Sequence, residues 1–359
     1  MLISAALKRF PEDFIVEELP LYEPSGQGDH VYVTFEKRGK NTLDAVREIA
    51  RALGCNPRDA GTAGMKDRHA VTTQTISLLP AKGQKPDELC ERARELSIEG
   101  IRVVSAARHG NKLKTGHLAG NRFTIVLRDI DAASIGDACA RMRALGEQGV
   151  PNAFGEQRFG RDHDNAARAK AWLSGKVPPP RDARVLRLLY SALQSEVFNA
   201  VLDKRVADGT WRTPMLGDVL KKTDSGGLFL CTDPEADGAR ARAGEVVPTG
   251  PIFGPKMLQP EATMAELEDA ITRELLGDEL DLGRARGLGD GTRRALVLPV
   301  RDIVADEILP ETGEERRSCR VGFVLPKGAY ATTVLSQVFS WGPGATAGAE
   351  DASDVEENH

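Results

Sequence analysis

The sequence has few cysteines and no long apolar run. Its five cysteines are widely spaced and never form a CxxC pair, which argues against a disulfide framework or a zinc cage and indicates a reducing compartment. No stretch of about 18 apolar residues occurs. The first residues, MLISAALKRFPEDF, lack the apolar core of a signal peptide. We therefore expect a cytoplasmic protein with no membrane segment.

Motifs for nucleotide cofactors and metals are also lacking. Neither GxGxxG after a strand nor GxxxxGK[ST] occurs, and HExxH and GxSxG are missing as well. His163 stands between two aspartates at the start of a predicted helix, but no second His or Cys is near it in the sequence. Helix capping and solvation explain those acids better than a metal does. The sequence therefore shows no readable motif for a nucleotide cofactor and favours no metal site.

Acidic residues are in slight excess, but they are unevenly distributed. The net charge is -5, and the last ten residues, EDASDVEENH, hold five acids and no Lys or Arg. Residues 101–170 hold 12 Lys and Arg against 7 Asp and Glu, whereas residues 210–289 hold 9 against 14. Such polarity allows one face to bind a polyanion. A basic loop in the first range either contacts an RNA backbone or is merely solvated; it contains His109, Lys112, Lys114 and His117.

The chain is longer than one ordinary domain, at 359 residues, so two domains are expected. Composition shifts towards glycine and acid over residues 209–289, which indicates an inserted domain. Strands before and after it, with helices between, predict a mixed α+β core completed by the C-terminal segment.

Hydrophobic periodicity and terminal residues predict the individual elements. The predicted strands are 14–18, 31–37, 71–79, 101–108, 122–129, 294–300 and 320–325. The predicted helices are 43–53, 85–96, 133–145, 163–173, 183–206, 262–276 and 330–339.

The segment GTAGMKDRHAVTTQ, residues 61–74, combines a glycine-containing loop with charged side chains. Asp67 lies between Lys66 and Arg68, with His69 next, and a β-branched strand follows. A tight loop at the mouth of a strand is suited to hold an ionised carboxylate against a ligand. A solvated surface loop would explain the same charges without any function.

The segment PNAFGEQRFG carries two phenylalanines in a glycine-rich loop. Phe154 and Phe159 either plug the core beneath the loop, or one of them stacks on a nucleobase that has left its stack. In the second case Asn152 and Arg158 supply hydrogen bonds and phosphate contacts.

Five segments, in this order, resemble motifs of the TruD family of tRNA pseudouridine synthases. They are LKRFPEDFIVEE, KRGKNT, AGMKDRHAVTTQ, PNAFGEQRFG and FVLPKGAYATTVL. The resemblance implies an α+β pseudouridine synthase core, with a mixed, mainly antiparallel sheet flanked by helices, and an inserted α/β TRUD domain. It places the catalytic domain at residues 1–178 and 290–341, the insertion at 179–289 and a disordered acidic tail at 342–359.

The resemblance also implies a reaction. These enzymes isomerise a uridine of tRNA, typically at position 13 in the D-arm, to pseudouridine without cofactor or metal. The N1–C1′ bond breaks, the uracil turns, and C5 joins C1′. Asp67 matches the family's catalytic aspartate. The residues leave open whether it attacks C1′, attacks C6 or promotes elimination.

The remaining site residues are assigned by their positions in the motifs that resemble those of the family. Lys8 matches the lysine before the PEDF motif, and its charge would keep Asp67 ionised and anchored. Asn152 and Phe154 match the asparagine and the stacking phenylalanine of the PN-x-FG motif. We therefore expect Asp67, Lys8, Asn152 and Phe154 to be catalytic. The expected RNA contacts are Phe14, Lys66, Arg68, His69, Lys112, Lys114 and Arg158.

Two other classes of function remain as alternatives. One is a non-catalytic RNA-binding protein, such as an RNA chaperone, on the same fold. The other is a glycosidase, which needs two cooperating carboxylates where the sequence offers one convincing candidate. As partners we expect tRNA, no membrane and no second copy of the chain, so that the protein is a monomer.

Overall fold

The structure is a computed structural model that describes residues 1–160, 162–277, 279–309 and 316–342. The chain divides into two compact units: Met1–Gln148 with the described residues from Pro299 onwards, and Gly149–Leu298. The predicted family domain boundaries near residues 178 and 290 stay a prediction, because a division into compact units does not assign family domains. Residues 343–359 of the predicted tail lie outside the described residues.

Helices are interspersed among groups of strands along the described chain. Its α-helices are α1 (Thr42–Ala52), α2 (Pro86–Arg94), α3 (Ile135–Gln148), α4 (Asn165–Leu173), α5 (Ala183–Ala207), α6 (Pro234–Arg242), α7 (Ala262–Leu276) and α8 (Ala331–Leu335). Its strands are β1 (Ile3–Ser4), β2 (Phe14–Pro20), β3 (His30–Arg38), β4 (Gly61–Thr62), β5 (Val71–Leu78), β6 (Ser97–Ile98), β7 (Ile101–His109), β8 (Leu118–Asp131), β9 (Val150–Pro151), β10 (Val219–Lys222), β11 (Leu228–Leu230), β12 (Val246–Ile252), β13 (Thr292–Ala295), β14 (Val297–Leu298), β15 (Arg301–Ile308), β16 (Arg316–Pro326) and β17 (Phe339–Ser340).

The first unit is built on a sheet that has nine strands among the described residues. Its order is β15-β16-β8-β2-β5-β3-β7-β6, with β4 beside β5. Most neighbours are antiparallel, but the central strands β2 and β5 are parallel, with Ile15 opposite Val71. Parallel neighbouring strands begin at the same end of a sheet. The segments that precede β2 and β5 therefore meet at that end.

Apolar side chains form a core between two helices and this sheet. Phe35 of β3, Ile76 of β5, Ile49 of α1 and Leu89 of α2 are fully buried in it. Each fully buried side chain of this size contributes about 1.5–3 kcal/mol to folding. The strands β3 and β5 are therefore firmly held in the sheet.

Local capping explains where α1 begins and ends. The side chain of Asn41 accepts a hydrogen bond from the backbone N–H of Asp44, which satisfies a donor that has no partner within the helix. Gly54 follows the helix with a φ of 74°, a conformation that favours glycine. The sequence predicts a helix over 43–53 with Asn41 or Thr42 as its cap and Gly54 as its stop; the structure confirms the helix and the stop and shows that Asn41 is the cap.

The second unit contains a four-stranded antiparallel sheet, ordered β11-β10-β12-β13, and the short pair β14-β9. Trp172 of α4 and Leu193 of α5 are buried in one core, and Phe198 of α5 is buried in another. A Cβ at Gly250 of β12 would lie 3.0 Å from the Phe198 ring. The long helix α5 therefore lies close against β12.

The predicted fold class, α+β with a mainly antiparallel sheet, is confirmed, and β16 adds the C-terminal strand to the large sheet as predicted. Several elements of the second unit were not predicted, since the strands β10 and β11 have only four and three residues, and α6 and β12 both contain Gly and Pro. The edge strand β15 was missed because three of its eight residues are acidic.

Several predicted elements differ in their extent. The strand predicted over 294–300 is two short strands, β13 and β14, which pair with β12 and β9. Gly61–Thr62, expected in an irregular loop, pairs with β5 as β4. The helix predicted over 133–145 continues to Gln148, with Gly146 inside it. The last helix is shorter than predicted, because the chain leaves α8 to pair β17 in parallel with β1.

Candidate active site

Lys8 and Asp67 form an ion pair in the first unit, between the Nζ of Lys8 and the Oδ2 of Asp67. Both side chains are only 6% exposed. Lys8 precedes β2 and Asp67 precedes β5, so the parallel pairing of these strands brings the two residues together. Lys8 has a φ of 58°, which is uncommon for a residue with a Cβ and costs about 1–2 kcal/mol. The ion pair helps to offset this strain.

Two further hydrogen bonds hold Asp67. The backbone N–H of His69 donates to its Oδ1 at 2.9 Å, and the ammonium of Lys37 donates to its main-chain oxygen at 2.7 Å. Both carboxylate oxygens therefore accept hydrogen bonds, one of them from a cation. Charge-assisted bonds are short and strong, so they fix the orientation of the carboxylate.

Lys37 is fully buried and was not predicted as a site residue. Burial lowers the pKa of its ammonium to about 8; the nearby Asp67 opposes this shift and the nearby Lys66 adds to it. The alternation of β3 was a sign that could have found it, since Lys37 shares the inward face of the strand with Val33 and Phe35; its contact with Asp67, 30 residues away, is not visible in the sequence.

Phe14 lies beneath the ion pair. Its ring centroid is 4.2 Å from the Nζ of Lys8 and 6.1 Å from the ring centroid of Phe123. Phe14 is buried. A cation over an aromatic face is attracted to it, so the ring supports Lys8. The predicted contact of Phe14 with RNA remains a prediction.

The other charged residues of the Asp67 loop differ in burial and in the partners of their side chains. Lys66 forms a buried ion pair with Glu18 at 3.0 Å, so its charge is already paired within the protein. Arg68 and His69 are exposed, and the Nε of Arg68 donates to the main-chain oxygen of Gly39 at 3.2 Å.

Arg68 also borders an open cleft of about 410 Å³. The cleft is lined by Gly39, Lys40, Asp44, Arg47, Glu48, Arg51 and Arg68. Four of these residues are basic and two are acidic. Arg51 and Arg68 have no carboxylate partner among the described residues, so the cleft presents two uncompensated positive charges.

The basic loop after β7 contacts the start of the Asp67 loop. The backbone N–H of Gly116 donates to the main-chain oxygen of Ala63 at 2.8 Å. Lys114 is exposed and Lys112 is half-buried. The fold therefore places both predicted RNA-contacting lysines in a loop that touches the Asp67 loop.

The PNAFG segment lies in the second unit, and Arg294 of β13 contacts two of its residues. The Nη2 of Arg294 donates to the Oδ1 of Asn152 at 2.7 Å, and the Nδ2 of Asn152 donates to the main-chain oxygen of Ala295 at 2.8 Å. The Asn152 amide is thereby held by β13. Arg294 was not predicted, because 142 residues separate it from Asn152.

Phe154 is half-buried, and several side chains contact its ring. The guanidinium carbons of Arg294 and Arg158 lie 4.0 and 5.3 Å from the ring centroid, and the ring of Phe198 meets it edge-on at 5.4 Å. Phe159, in contrast, packs against the apolar core around α4 and α5. Of the two phenylalanines, Phe154 is therefore the one set among polar and charged groups.

The predicted site residues thus form one group in each unit. Lys8, Phe14 and Asp67 lie together in the first unit, and Asn152, Phe154 and Arg158 lie together in the second. A single site formed from both groups remains a prediction.

The described residues offer neither a metal site nor a membrane span. No group of three or more His, Cys, Asp or Glu side chains is arranged to hold a metal ion. No described helix is long and apolar enough to cross a membrane. The fold is of the mixed α+β class, and beside its central strands it holds a nearly buried carboxylate that is ion-paired with a lysine.

Comparison with known proteins identifies the family. The sequence model of the family tRNA pseudouridine synthase D (TruD) matches residues 2–174 and 181–338. A protein of Anaeromyxobacter dehalogenans named tRNA pseudouridine synthase D is 45% identical over 341 residues, covering 93% of this chain and 92% of its own. A protein of Geobacter metallireducens with the same name is 36% identical, and the match covers 94% of this chain and 96% of that protein. The chain belongs to the TruD family of tRNA pseudouridine synthases.

A solved structure supports the fold. The crystal structure of a candidate TruD from Methanosarcina mazei has a TM-score of 0.75 to this chain at 22% identity, and covers 94% of both chains. The family resemblance expected from the five sequence motifs is confirmed.

Proposed function

We propose that this protein isomerises the uridine at position 13 of the tRNA D-arm to pseudouridine, with Asp67 as the catalytic carboxylate. As a member of its family, the chain is a tRNA pseudouridine synthase. The observation that carries the assignment of Asp67 is its buried ion pair with Lys8 at the edge where the two central strands begin.

The reaction conserves all atoms of the nucleotide. The N1–C1′ bond breaks, the detached uracil turns, and a C5–C1′ bond forms; C5 then loses its proton and N1 gains one. Asp67 acts in one of three ways: it attacks C1′, attacks C6 of the ring, or promotes elimination at the sugar. Each way needs an ionised carboxylate in a fixed position. Lys8 and the backbone N–H of His69 supply that condition.

Recognition of the substrate requires the target base to leave its stack. In this proposal Phe154 stacks on the extruded base, and Arg158 contacts the adjacent backbone. The basic cleft beside Arg68 takes further phosphates, because Arg51 and Arg68 carry charges that no described carboxylate neutralises. We place the protein in the cytoplasm, where tRNA is its partner, and expect it to act as a monomer.

The experiment uses in vitro transcribed tRNA with uridine at position 13 and, as the matched control, the same transcript with cytidine there. Carbodiimide mapping should detect pseudouridine at position 13 in the first tRNA only. Asp67→Asn should abolish product, while its affinity for tRNA stays within about twofold of wild type. A near wild-type rate in Asp67→Asn would remove the assignment of Asp67. Binding without product on any tRNA would favour an RNA chaperone.

The cleft has its own test. Binding of tRNA should weaken as salt rises, and each phosphate contact contributes about 0.9 to the slope of log K against log salt. Arg51→Ala should reduce that slope by about 1. Arg58→Ala is the matched control, because Arg58 is an exposed arginine of the same unit outside the cleft. Equal slopes in Arg51→Ala and wild type would exclude the cleft from the binding surface.

A further inference from the structure

One segment of six residues, Lys37–Thr42, contacts three consecutive residues around Asp67. Lys37 donates to the main-chain oxygen of Asp67 at 2.7 Å. The Oγ1 of Thr42 accepts from the backbone N–H of Lys66 at 2.8 Å. The main-chain oxygen of Gly39 accepts from the side chain of Arg68 at 3.2 Å. This segment, KRGKNT in sequence, therefore binds the main chain on both sides of the Lys66–Asp67 peptide bond.

Strand pairing explains how the segment reaches Asp67. The end of β3 runs antiparallel to the beginning of β5, with Lys37 opposite Thr72. The chain then turns at Gly39, which has a φ of 69°, and enters α1 at Thr42. The turn thus passes the loop that precedes β5. Three hydrogen bonds to this one short segment hold the Asp67 loop. The loop's own glycines and alanine would leave it more flexible.

Lys37 is the unusual member of the segment. Its side chain is fully buried, and among the described residues the oxygen of Asp67 is the acceptor that its ammonium contacts. An ammonium has three donors, and a buried charge with so few partners is costly. An apolar side chain of the same length would serve stability better. The cost indicates a role other than packing.

We propose, given the proposed function, that Lys37 is a positioning residue for the reaction, which fixes the peptide oxygen of Asp67 so that the carboxylate keeps one direction. Lys8 and the His69 N–H hold the carboxylate itself, but a rotation of the Asp67 peptide would carry the carboxylate away from the reacting nucleotide. Lys37 opposes that rotation because it holds the main-chain oxygen of Asp67. Thr42 completes the restraint through the preceding N–H.

The test compares Lys37→Met, which keeps the length of the side chain but removes donor and charge, with Lys37→Gln, which keeps a donor. Single-turnover rates are measured with saturating enzyme on tRNA. Lys37→Met should be slower than wild type by about 10- to 100-fold, and Lys37→Gln should be intermediate. The affinity for tRNA should change less than twofold. Lys85→Met, at the exposed start of α2, is the control for loss of a lysine and should match wild type.

A pH profile separates positioning from a merely structural role. Because burial lowers the pKa of Lys37 to about 8, the wild-type single-turnover rate should fall as pH rises through about 8, as the amine becomes a weaker donor. The rate of Lys37→Met should lack this fall. Lys8, Lys66 and Asp67 also face this region and are present in both proteins, so the comparison isolates Lys37.

The contrary outcomes are distinct from failure of the proposed function. If wild type forms pseudouridine and Lys37→Met does so within twofold of its rate, the positioning role is wrong while the function stands. A change confined to tRNA affinity would also overturn it. If neither variant folds, the wild-type profile decides, since a rate that does not fall between pH 7 and 9 contradicts the proposal. Absence of product from wild type on every tRNA would contradict the function itself.

Discussion

The guanidinium of Arg294 lies 4.0 Å from the centroid of the Phe154 ring. The same guanidinium donates to the side chain of Asn152. One cation therefore holds both residues that the family resemblance assigns to the PN-x-FG motif. The backbone of Phe154 is fixed as well, because Asn199 accepts from its N–H at 2.8 Å and donates to its oxygen at 3.0 Å. Phe154 is thus held in place by several groups, which would lower the entropy cost of the base stacking that we propose for it.

Replacement of Phe154 by alanine should slow the single-turnover reaction. Base–aromatic stacking contributes about 1–3 kcal/mol, which corresponds to a rate loss of roughly 5- to 150-fold if the stack forms in the transition state. Phe154→Tyr should retain most of the rate. Phe159→Leu is the comparison, because Phe159 packs against the core; it should lower the melting temperature more than the rate. Unchanged kinetics in Phe154→Ala would show that this ring only fills the core.

Replacement of Lys8 by methionine should reduce the rate by at least about 100-fold. Asp67 would keep its hydrogen bond from His69 but lose its cation, and a nearly buried carboxylate without its cation is costly and shifts position. Single-turnover kinetics on tRNA measure the loss.

Arg9→Met is a matched control for Lys8→Met, since Arg9 is the next residue and pairs with Asp129 on the surface, where the two side chains are 54% and 48% exposed. Exposed pairs contribute about 0–1 kcal/mol, so Arg9→Met should react at the wild-type rate. If both variants were equally slow, the effect could not be assigned to the ion pair.

The second unit contains a buried ion pair whose removal should be costly. Arg293 donates to both carboxylate oxygens of Glu268, at 2.6 and 2.7 Å. Arg293→Met leaves that carboxylate without its cation, and we expect a loss of about 3–5 kcal/mol in the free energy of unfolding at neutral pH. Urea denaturation measures it. The double variant Arg293→Met with Glu268→Met should recover much of the loss.

The pH dependence of Arg293→Met gives a second check on this pair. Burial raises the pKa of Glu268, and Arg293 opposes that shift. Without the arginine the carboxyl protonates more readily, so the variant should lose less stability at pH 5 than at pH 8. A loss that is independent of pH would mean that the charge of Glu268 is not the cause.

Stability should also respond to the titration of Lys37. The pKa of Lys37 is lowered from 10.5 to about 8 in the folded protein. Between these values the unfolded chain binds a proton that the folded chain has released, so the free energy of unfolding rises with pH. The full gain is about 3 kcal/mol. Urea unfolding of wild type and Lys37→Met between pH 7.5 and 10 should show the rise in wild type only; parallel curves would contradict it.

Most regular elements of the first unit follow from local sequence. The cap at Asn41 and the stop at Gly54 define α1, and the alternation after His69 defines β5. These signals lie within a few residues of the element that they determine. The weak patterns of β15 and of the short strands in the second unit did not allow the same prediction, because exposed edge strands and glycine-rich segments lack clear alternation.

The sequence by itself determined the family, the α+β class and the residues Lys8 and Asp67 as candidates, because ordered motifs and local periodicity are properties of neighbouring residues. Only the tertiary structure decided that Lys37 lies beneath Asp67 and that Arg294 contacts both Asn152 and Phe154. These contacts span 30 and 142 residues. They depend on which strands are neighbours and in what register, and strand order is set by the packing of the whole sheet rather than by any one segment.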